Sequence, residues 1–220
     1  MGGSRRTAGR RAAATVGCGG GTGREHRPLI GVLALQGAFA EHASALAAVG
    51  AEPVLVRTAS GLDGVDAVVL PGGESTTMSK LLDTSGLREP LSRALGGGMP
   101  AFGTCAGLIL LARSVADGRP DQRSFGVLDV AVLRNGYGRQ RESFEAAVAI
   151  DAVGEAPFPG VFIRAPRITS VGEAVTVLAS VDGDPVLVCQ GPLLAAAFHP
   201  ELAGDLRLHH LFVHRVLERV

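Results

Sequence analysis

The apolar positions of this chain fall into short uninterrupted runs that alternate with stretches of helical spacing. In the first half the runs are aliphatic throughout, which is typical of parallel strands buried on both faces. Strands are predicted at 29–35, 52–58, 66–73 and 99–105. Helices are predicted between and after them, at 38–50, 75–83, 87–95 and 106–115. This alternation predicts an α/β fold of three layers, with a mostly parallel central sheet and helices on both faces.

Two of the predicted helices carry capping signals. Gly50 closes the first helix, where a glycine suits the position after the C-cap. Ser75 or Thr76 is placed to cap the N-terminus of the second.

The pattern changes after residue 125. Strand-like runs joined by short turns follow at 125–135, 143–151, 160–166, 174–191 and 193–200. Asp182-Gly183, within the fourth run, is a hairpin signal. Residues 205–220 return to a helical period. We therefore expect one domain, residues 29–220, whose second half adds an antiparallel extension to the sheet.

The N-terminal residues, 1–28, are rich in arginine and glycine and are predicted to form a disordered extension. Six arginines and one glutamate give residues 1–27 a net charge of +5, and because the whole chain is neutral the remainder carries −5. A mildly acidic body argues against nucleic-acid binding. No apolar run reaches the roughly 18 residues of a membrane-spanning helix, so no membrane partner is expected.

The cysteine and histidine patterns predict neither a metal site nor a cofactor. Cys18, Cys105 and Cys189 are widely spaced and form no CxxC pair, which fits a reducing compartment and predicts a cytoplasmic location. Cys189 lies in an apolar strand pattern and is expected to be a small core residue. His210 and His214 have the spacing of a metal pair, but no HExxH pattern completes it, so the histidines of the last helix are expected at its surface or at the edge of the core.

Three unusual stretches follow predicted strands: PGGES after the third, FGTCAG after the fourth and FHPEL after the last. In open α/β sheets, binding sites form at the carboxyl ends of the strands. The three stretches are therefore expected to meet in one site.

Cys105 lies at the predicted strand-to-helix turn of FGTCAG. Gly103 and Gly107 remove side chains where strand, turn and helix crowd together, as in the G-x-S-x-G nucleophile elbow. The N-terminus of the following helix favours a thiolate, the reactive form of the side chain. The pattern by itself is equally compatible with a structural cysteine in a glycine-rich turn.

His199 and Glu201 favour the nucleophile. The two residues are two apart, and Pro200 biases His199 toward extended geometry, in which alternate side chains share a face. Glu201 would then orient the imidazole, as the acid of a catalytic triad does.

The glycines of PGGES can supply backbone amides to an oxyanion. Gly72 and Gly73 are expected to form one half of the oxyanion hole, and the amide of Ala106 the other half.

With these motifs in hand, the chain from about residue 29 resembles the class I glutamine amidotransferases. More narrowly, it resembles the glutaminase subunits of pyridoxal 5′-phosphate synthases in the vitamin B6 pathway. The resemblance is carried by GVLALQGAFAEH, LPGGESTTM, FGTCAGLILLA, RNGYGRQRESFE, GVFIRAP and FHPEL. It implies a flavodoxin-like sheet and hydrolysis of L-glutamine to L-glutamate and ammonia by a Cys-His-Glu triad, here Cys105, His199 and Glu201.

The resemblance also implies the residues that bind L-glutamine. They are Gly73, Glu74, Ser75, Arg134, Ile163 and Arg164. An arginine suits the α-carboxylate of the substrate, and Glu74 suits its ammonium group.

The partner implied by the resemblance is a (β/α)₈-barrel synthase subunit in a large symmetric hetero-oligomer. It would receive the ammonia internally and join it to a pentose phosphate and a triose phosphate. This chain is too short to contain such a barrel in addition to its own domain. The segment QGAFAEH, at the end of the first strand, is expected to sense the partner, and Gln36 within it to help set the backbone of the oxyanion hole.

Three rival functions remain open from the sequence. The first is a glutaminase subunit of another amidotransferase complex, against which the motifs outside the elbow argue. The second is a redox-sensing or chaperone-like protein with the same elbow, but such proteins tend to place histidine directly after the cysteine, where this chain has Ala106. The third is a subunit that has lost its activity, and the filled triad positions argue against it.

Overall fold

A computed structural model describes residues 27–118, 122–136 and 143–219. The predicted N-terminal extension lies almost entirely outside these residues, so the division of the chain at residue 28 stays a prediction. Residues 137–142, part of one motif that carries the resemblance, also lie outside them.

The described residues form twelve strands and five α-helices. The strands are β1 (Leu29–Leu33), β2 (Glu52–Val56), β3 (Ala67–Leu70), β4 (Ala101–Thr104), β5 (Ala112–Ala116), β6 (Leu128–Leu133), β7 (Ser143–Val148), β8 (Phe158–Ile163), β9 (Arg167–Val171), β10 (Thr176–Val181), β11 (Asp184–Gln190) and β12 (Leu193–Ala196). The helices are α1 (Phe39–Ala48), α2 (Ser75–Thr84), α3 (Arg88–Gly96), α4 (Ala106–Leu111) and α5 (Arg207–Leu217).

The largest sheet has the strand order β10-β11-β12-β4-β3-β1-β2. Strands β2, β1, β3, β4 and β12 pair in parallel, and β11 and β10 continue the sheet in antiparallel fashion. A three-stranded sheet, β5-β6-β9, and an antiparallel pair, β7-β8, accompany it. The predicted α/β class, with a mostly parallel sheet and an antiparallel extension, is confirmed.

Strand β4 shows why helices cover both faces of the sheet. Phe102 points toward α5, where its ring centroid lies 5.5 Å from that of Phe212. Gly103, the next residue along, points to the opposite face, where a side chain would overlap Gly107 and Leu111 of α4. Because alternate residues of a strand face opposite sides, α5 and α4 lie on opposite faces, and β4 is buried between them.

One predicted element was wrong, and one strand was missed. The helix expected at 106–115 ends at Leu111, and Ala112–Ala116 form β5, which pairs in parallel with β6. Continuous aliphatic sequence does not distinguish a buried helix from a buried strand, so pairing with β6 decides the outcome. Strand β9 was not predicted, because Ile168 is its only buried residue and the run shows no clear alternation.

Candidate active site

The loops after β3, β4 and β12 meet at the carboxyl edge of the parallel sheet. These strands are direct neighbours, since β4 pairs with β3 on one side and with β12 on the other. Their shared direction brings Gly72, Cys105 and His199 together: a Cβ placed on Gly72 would overlap the ring of His199 and lie 3.4 Å from Cβ of Cys105. The predicted convergence of the three stretches is therefore present in the fold.

Cys105 occupies a strained turn between β4 and α4. Its φ of 48° and ψ of −102° lie in a region that residues other than glycine rarely adopt. A hydrogen bond from its amide to the carbonyl of Ala196 (2.9 Å) ties the turn to β12. The side chain is only 5% exposed, and Sγ lies 3.8 Å from the carbonyl oxygen of Ile163. Backbone strain of this kind is typical of functional turns, where the fold holds a side chain in one position.

The two glycines that flank the turn have the steric role expected from the sequence. A Cβ on Gly103 would lie 2.8 Å from the carbonyl oxygen of Gly107, and a Cβ on Gly107 would overlap the carbonyl oxygen of Leu70 in β3. The neighbouring atoms are backbone and cannot move aside cheaply. The sharp turn at Cys105 thus depends on glycine at both positions.

His199 and Glu201 form the predicted pair, but in a different local geometry. Nδ1 of His199 lies 2.8 Å from Oε1 of Glu201. The segment is not extended: Pro200–Leu202 form a 3-10 turn with Pro200 in its first position. Proline favours a helical start because its φ is fixed and no amide hydrogen is needed there. The expectation of an extended segment was wrong, and the turn brings the two side chains together instead.

Burial and hydrogen bonding set the charge of this pair. Burial alone would lower the pKa of His199, but hydrogen bonds with Cys105 and Glu201, and their charges, raise it to about 10. Burial alone would raise the pKa of Glu201, but hydrogen bonds from His199 and His42 lower it to about 2. The ring therefore carries a proton that it can deliver to a leaving group, beside a carboxylate that stays ionised.

The loop after β3 is held by the loop after β1. Oε1 of Gln36 accepts a hydrogen bond from the amide of Glu74 (2.9 Å), and the amide of Ala38 donates to the carbonyl of Gly72 (3.2 Å). A Cβ on Gly73 would lie 2.6 Å from Oε1 of Gln36. Gln36 thus contacts the glycine loop directly, which is the contact that its predicted role requires.

A cavity of about 390 Å³ opens beside Cys105 and His199. It is lined by all six residues that were expected to bind glutamine: Gly73, Glu74, Ser75, Arg134, Ile163 and Arg164. Glu201 does not line the cavity, and its side chain is fully buried behind His199. The arrangement places a nucleophile and an acid–base group at the wall of a polar cavity, with the orienting carboxylate out of reach of the ligand.

Glu74 has a structural role that the sequence did not reveal. It caps α2 by accepting hydrogen bonds from the amides of Thr76 (3.0 Å) and Thr77 (2.6 Å), so the expectation that Ser75 or Thr76 caps this helix was wrong. Burial alone would raise the pKa of Glu74, but the hydrogen bonds from Thr77 and Thr76 together outweigh it and lower the pKa to about 2. Nη2 of Arg134 lies 3.1 Å from Oε1 of the same carboxylate. Two of the three charged groups expected to bind substrate therefore contact each other.

Sequence reasoning missed two residues that line the cavity. Ile109 lies one helical turn after Cys105, and this spacing could have placed it on the same side of α4. Asn135 follows Arg134 and adopts a φ of 48°, a conformation that asparagine tolerates better than most residues.

Comparison with known proteins gives the fold and site a family. The model of the SNO glutamine amidotransferase family matches residues 32–218. The chain belongs to the SNO glutamine amidotransferase family. Among curated relatives of this glutamine amidotransferase, pyridoxal 5′-phosphate synthase subunit PdxT of Frankia alni is 58% identical over 84% of the chain and 94% of the relative.

One solved structure agrees with this assignment, and a second shares the fold. A crystal structure of a glutamine amidotransferase, 47% identical, superposes with a TM-score of 0.79 over 85% of this chain and 98% of the other. A GMP synthase protein from Thermoplasma acidophilum gives a TM-score of 0.64 at 17% identity, covering 88% of this chain and 96% of the other. At that identity the likeness shows the shared fold alone. This glutamine amidotransferase is thus close in sequence to the PdxT subunits and more distant from the GMP synthase protein of the same fold.

Proposed function

We propose that this chain is the glutaminase subunit of a pyridoxal 5′-phosphate synthase, with Cys105, His199 and Glu201 as its catalytic triad. The observation that carries the proposal is the strained Cys105 turn, which lies against His199 at the wall of a polar cavity. The general reaction follows from the family, whose members are glutamine amidotransferases. The acceptor pathway follows from relatives that are named as subunits of pyridoxal 5′-phosphate synthase.

The first half of the reaction releases ammonia. The thiolate of Cys105 attacks the side-chain amide carbon of glutamine, and a carbon–sulfur bond forms as the carbonyl oxygen takes up negative charge. The backbone amides of Gly72, Gly73 and Ala106 are the proposed donors to that oxygen. When the carbon–nitrogen bond breaks, His199 gives its proton to the departing nitrogen.

The second half regenerates the thiolate. His199, now neutral, takes a proton from water, and the resulting hydroxide attacks the thioester carbon. The carbon–sulfur bond breaks, glutamate leaves, and His199 is again protonated beside the Cys105 thiolate. Glu201 keeps its charge throughout and holds the ring through Nδ1, which leaves the other ring nitrogen for these proton transfers.

Charged groups at the cavity suit the amino-acid end of glutamine. Arg134 is the proposed partner of the α-carboxylate, and Glu74 that of the ammonium group. Their mutual contact in the present structure means that substrate would exchange one ion pair for two. Gly73, Ser75, Ile163 and Arg164 complete the proposed glutamine site at the cavity wall.

The released ammonia requires a protected route. In water it would be protonated and lost as a nucleophile, so a glutaminase of this kind works best when docked on its acceptor enzyme. The proposed partner is a (β/α)₈-barrel synthase subunit that makes pyridoxal 5′-phosphate from a pentose phosphate and a triose phosphate, within a large symmetric hetero-oligomer. The residues that the structure describes form open sheets, which supports the proposal that the acceptor site belongs to a separate subunit.

A cytoplasmic location belongs to the same proposal, because a catalytic thiol must be kept reduced to act. Cys105 and Cys189 are both free. Across the described stretches, no helix combines the length and the apolar character that a bilayer crossing requires.

The proposal is tested by supplying the acceptor enzyme with either nitrogen source. The purified chain and the barrel synthase are combined, and pyridoxal 5′-phosphate formation is followed with glutamine or with an ammonium salt. Cys105→Ala is expected to abolish formation from glutamine and to leave formation from ammonium intact. Equal rates from glutamine with and without the chain would refute the proposal. Glutamate release without any stimulation of this synthase would instead favour another amidotransferase complex.

A further inference from the structure

Behind the triad lies a buried polar cluster that the proposed chemistry does not use. His42 of α1, His209 of α5 and Thr104 of β4 are each fully buried. The ring of Phe102 packs edge-on against both imidazoles, with centroid distances of 6.1 Å to His42 and 5.9 Å to His209. Burying two imidazoles in apolar surroundings costs free energy unless their nitrogens are hydrogen-bonded. The contacts of these ring nitrogens therefore indicate the role of the cluster.

The cluster makes contact with the oxygen of Glu201 that His199 leaves free. Oε1 of Glu201 faces His199 at 2.8 Å, whereas Oε2 lies 3.2 Å from Nε2 of His42. The same nitrogen of His42 is 3.1 Å from Oγ1 of Thr104. Glu201 is thus held between two histidines, one at each oxygen, and only one of them reaches the cavity.

The hydrogen-bond chain has one consistent direction. An ionised carboxylate only accepts, so a favourable contact with Glu201 requires the hydrogen of His42 on Nε2. That hydrogen is donated to Oγ1 of Thr104, and the contact with Oε2 of Glu201 is electrostatic, because Oε2 has no hydrogen-bond partner among the described residues. In a neutral His42 the other nitrogen, Nδ1, is then an acceptor, and Nε2 of His209, 3.0 Å away, donates to it. Burial lowers the pKa of His209 to about 3, so this ring is neutral. Its Nδ1 is buried and, among the described residues, has no hydrogen-bond partner, as expected for the far end of such a chain.

We propose that His42, held in its tautomer by His209, is a positioning residue of the glutaminase triad. It fixes the second oxygen of Glu201, so that the first stays aimed at Nδ1 of His199. Without this donor the carboxylate can rotate about its terminal bond and hold the ring less firmly. The role rests on the proposed function, because it acts on the reaction only through Glu201 and His199.

The position of His42 along the chain supports a role beyond packing. Helix α1 begins three residues after Gln36, which contacts the glycine loop of the proposed oxyanion hole. One short segment therefore touches both the loop that faces the substrate oxygen and the acid of the triad. A histidine that only filled space would not need its polar edge turned toward Glu201.

Two substitutions at the same position separate positioning from packing. His42→Gln can keep a donor near the place of Nε2, whereas His42→Asn keeps only a polar atom near Nδ1 and withdraws the donor from Glu201. We expect kcat of the complex with the synthase to fall about tenfold or more in His42→Asn and to stay within about threefold of wild type in His42→Gln. KM for glutamine should not change in either variant, because His42 does not line the cavity.

His214→Asn supplies the matched control, since His214 is an exposed histidine of α5 and its loss should leave kcat and KM unchanged. Wild-type kcat in His42→Asn would overturn the proposal. The proposal would also be overturned if kcat fell equally in the Asn and Gln variants and in proportion to the fall in their melting temperatures, since packing alone explains that pattern. If His42→Asn does not fold, His209→Gln and His209→Leu provide the same comparison one step further along the chain.

The outcome is distinguishable from failure of the proposed function. If the wild-type complex releases no glutamate, the function and this inference fall together. If the wild type is active, Cys105→Ala is inactive and His42→Asn is unimpaired, only the role of His42 is refuted.

Discussion

Replacing Glu201 with glutamine isolates the charge of the triad acid from its shape. The side chain is fully buried, and its two oxygens face nitrogens of His199 and His42. An amide of the same size has only one acceptor oxygen, so its NH₂ group must face one of the two rings. If the NH₂ group faces His199, Nδ1 of that ring must accept its hydrogen bond, so the hydrogen of the neutral imidazole moves to Nε2. Nε2 then cannot act as the base.

The size of the effect follows from the pKa of Glu201. A fall from 4.5 to about 2 corresponds to about 3 kcal/mol in favour of the carboxylate over the neutral acid. His199 and His42 together supply this stabilisation against the opposing effect of burial, so only part of it acts through His199. We therefore expect Glu201→Gln to reduce kcat by about tenfold to a hundredfold. KM for glutamine should stay close to wild type, because Glu201 does not line the cavity.

The assay is steady-state glutamate release by the complex with the synthase. Glu218→Gln is the matched control, because Glu218 also lies near a histidine, with 3.5 Å between its Oε1 and Nδ1 of His214, but on the exposed surface. That variant should be indistinguishable from wild type. A Glu201→Gln enzyme with kcat within about threefold of wild type would refute the reasoning and remove Glu201 from the triad.

The same substitution predicts a pH dependence of stability. Because folding lowers the pKa of Glu201 from 4.5 to about 2, its carboxylate stabilises the fold at pH values above about 4.5. That contribution is lost as the pH falls through about 2. The difference in melting temperature between wild type and Glu201→Gln should therefore be largest near neutral pH and shrink in acid. A difference that grows on acidification would contradict the sign of the shift.

Three further substitutions test the turn, the substrate site and the glycine loop. Gly107→Ala should cost about 3 kcal/mol or more of folding stability, because its Cβ would overlap a carbonyl of β3, whereas Gly96→Ala has open space and should be close to neutral in chemical denaturation. Arg134→Gln should raise KM for glutamine about tenfold or more while Arg113→Gln, on the exposed surface, leaves it unchanged; equal KM values would exclude Arg134 from binding. Gln36→Ala should lower the synthase-stimulated glutaminase rate about fivefold, and an unchanged rate would rule out its role in setting the loop.

The parallel half of the fold and the three loops of the site could be read from the sequence because their signals are local. Continuous aliphatic runs mark buried strands, and the stretches that follow them must lie at one edge of the sheet. The crowding around Cys105 could be predicted because Gly103 and Gly107, which relieve it, belong to the same short motif. Strand β5 had no such signal, because the aliphatic run before it suits a helix or a strand, and pairing with a distant strand decides between them.

The contact of His42 with the triad acid, Glu201, could not be predicted either, because it depends on the packing of residues that are far apart in the chain. His42 and His209 are 167 residues apart, so no spacing along the chain relates them. His209 was expected at the surface or the edge of the core with its neighbours His210 and His214, yet it is fully buried while those two are exposed. Only the packing of α1 against α5 brings the pair behind Glu201.

Covalent trapping of the nucleophile tests the catalytic assignment most directly. A glutamine analogue with an electrophilic carbon in place of the side-chain amide is incubated with the complex, and the labelled protein is mapped by mass spectrometry. We predict one adduct per chain, on Cys105, with loss of glutaminase activity in step with labelling, and no adduct on Cys189, which does not line the cavity. An adduct on another residue, or full activity after complete labelling of Cys105, would contradict the assignment of Cys105 as the nucleophile.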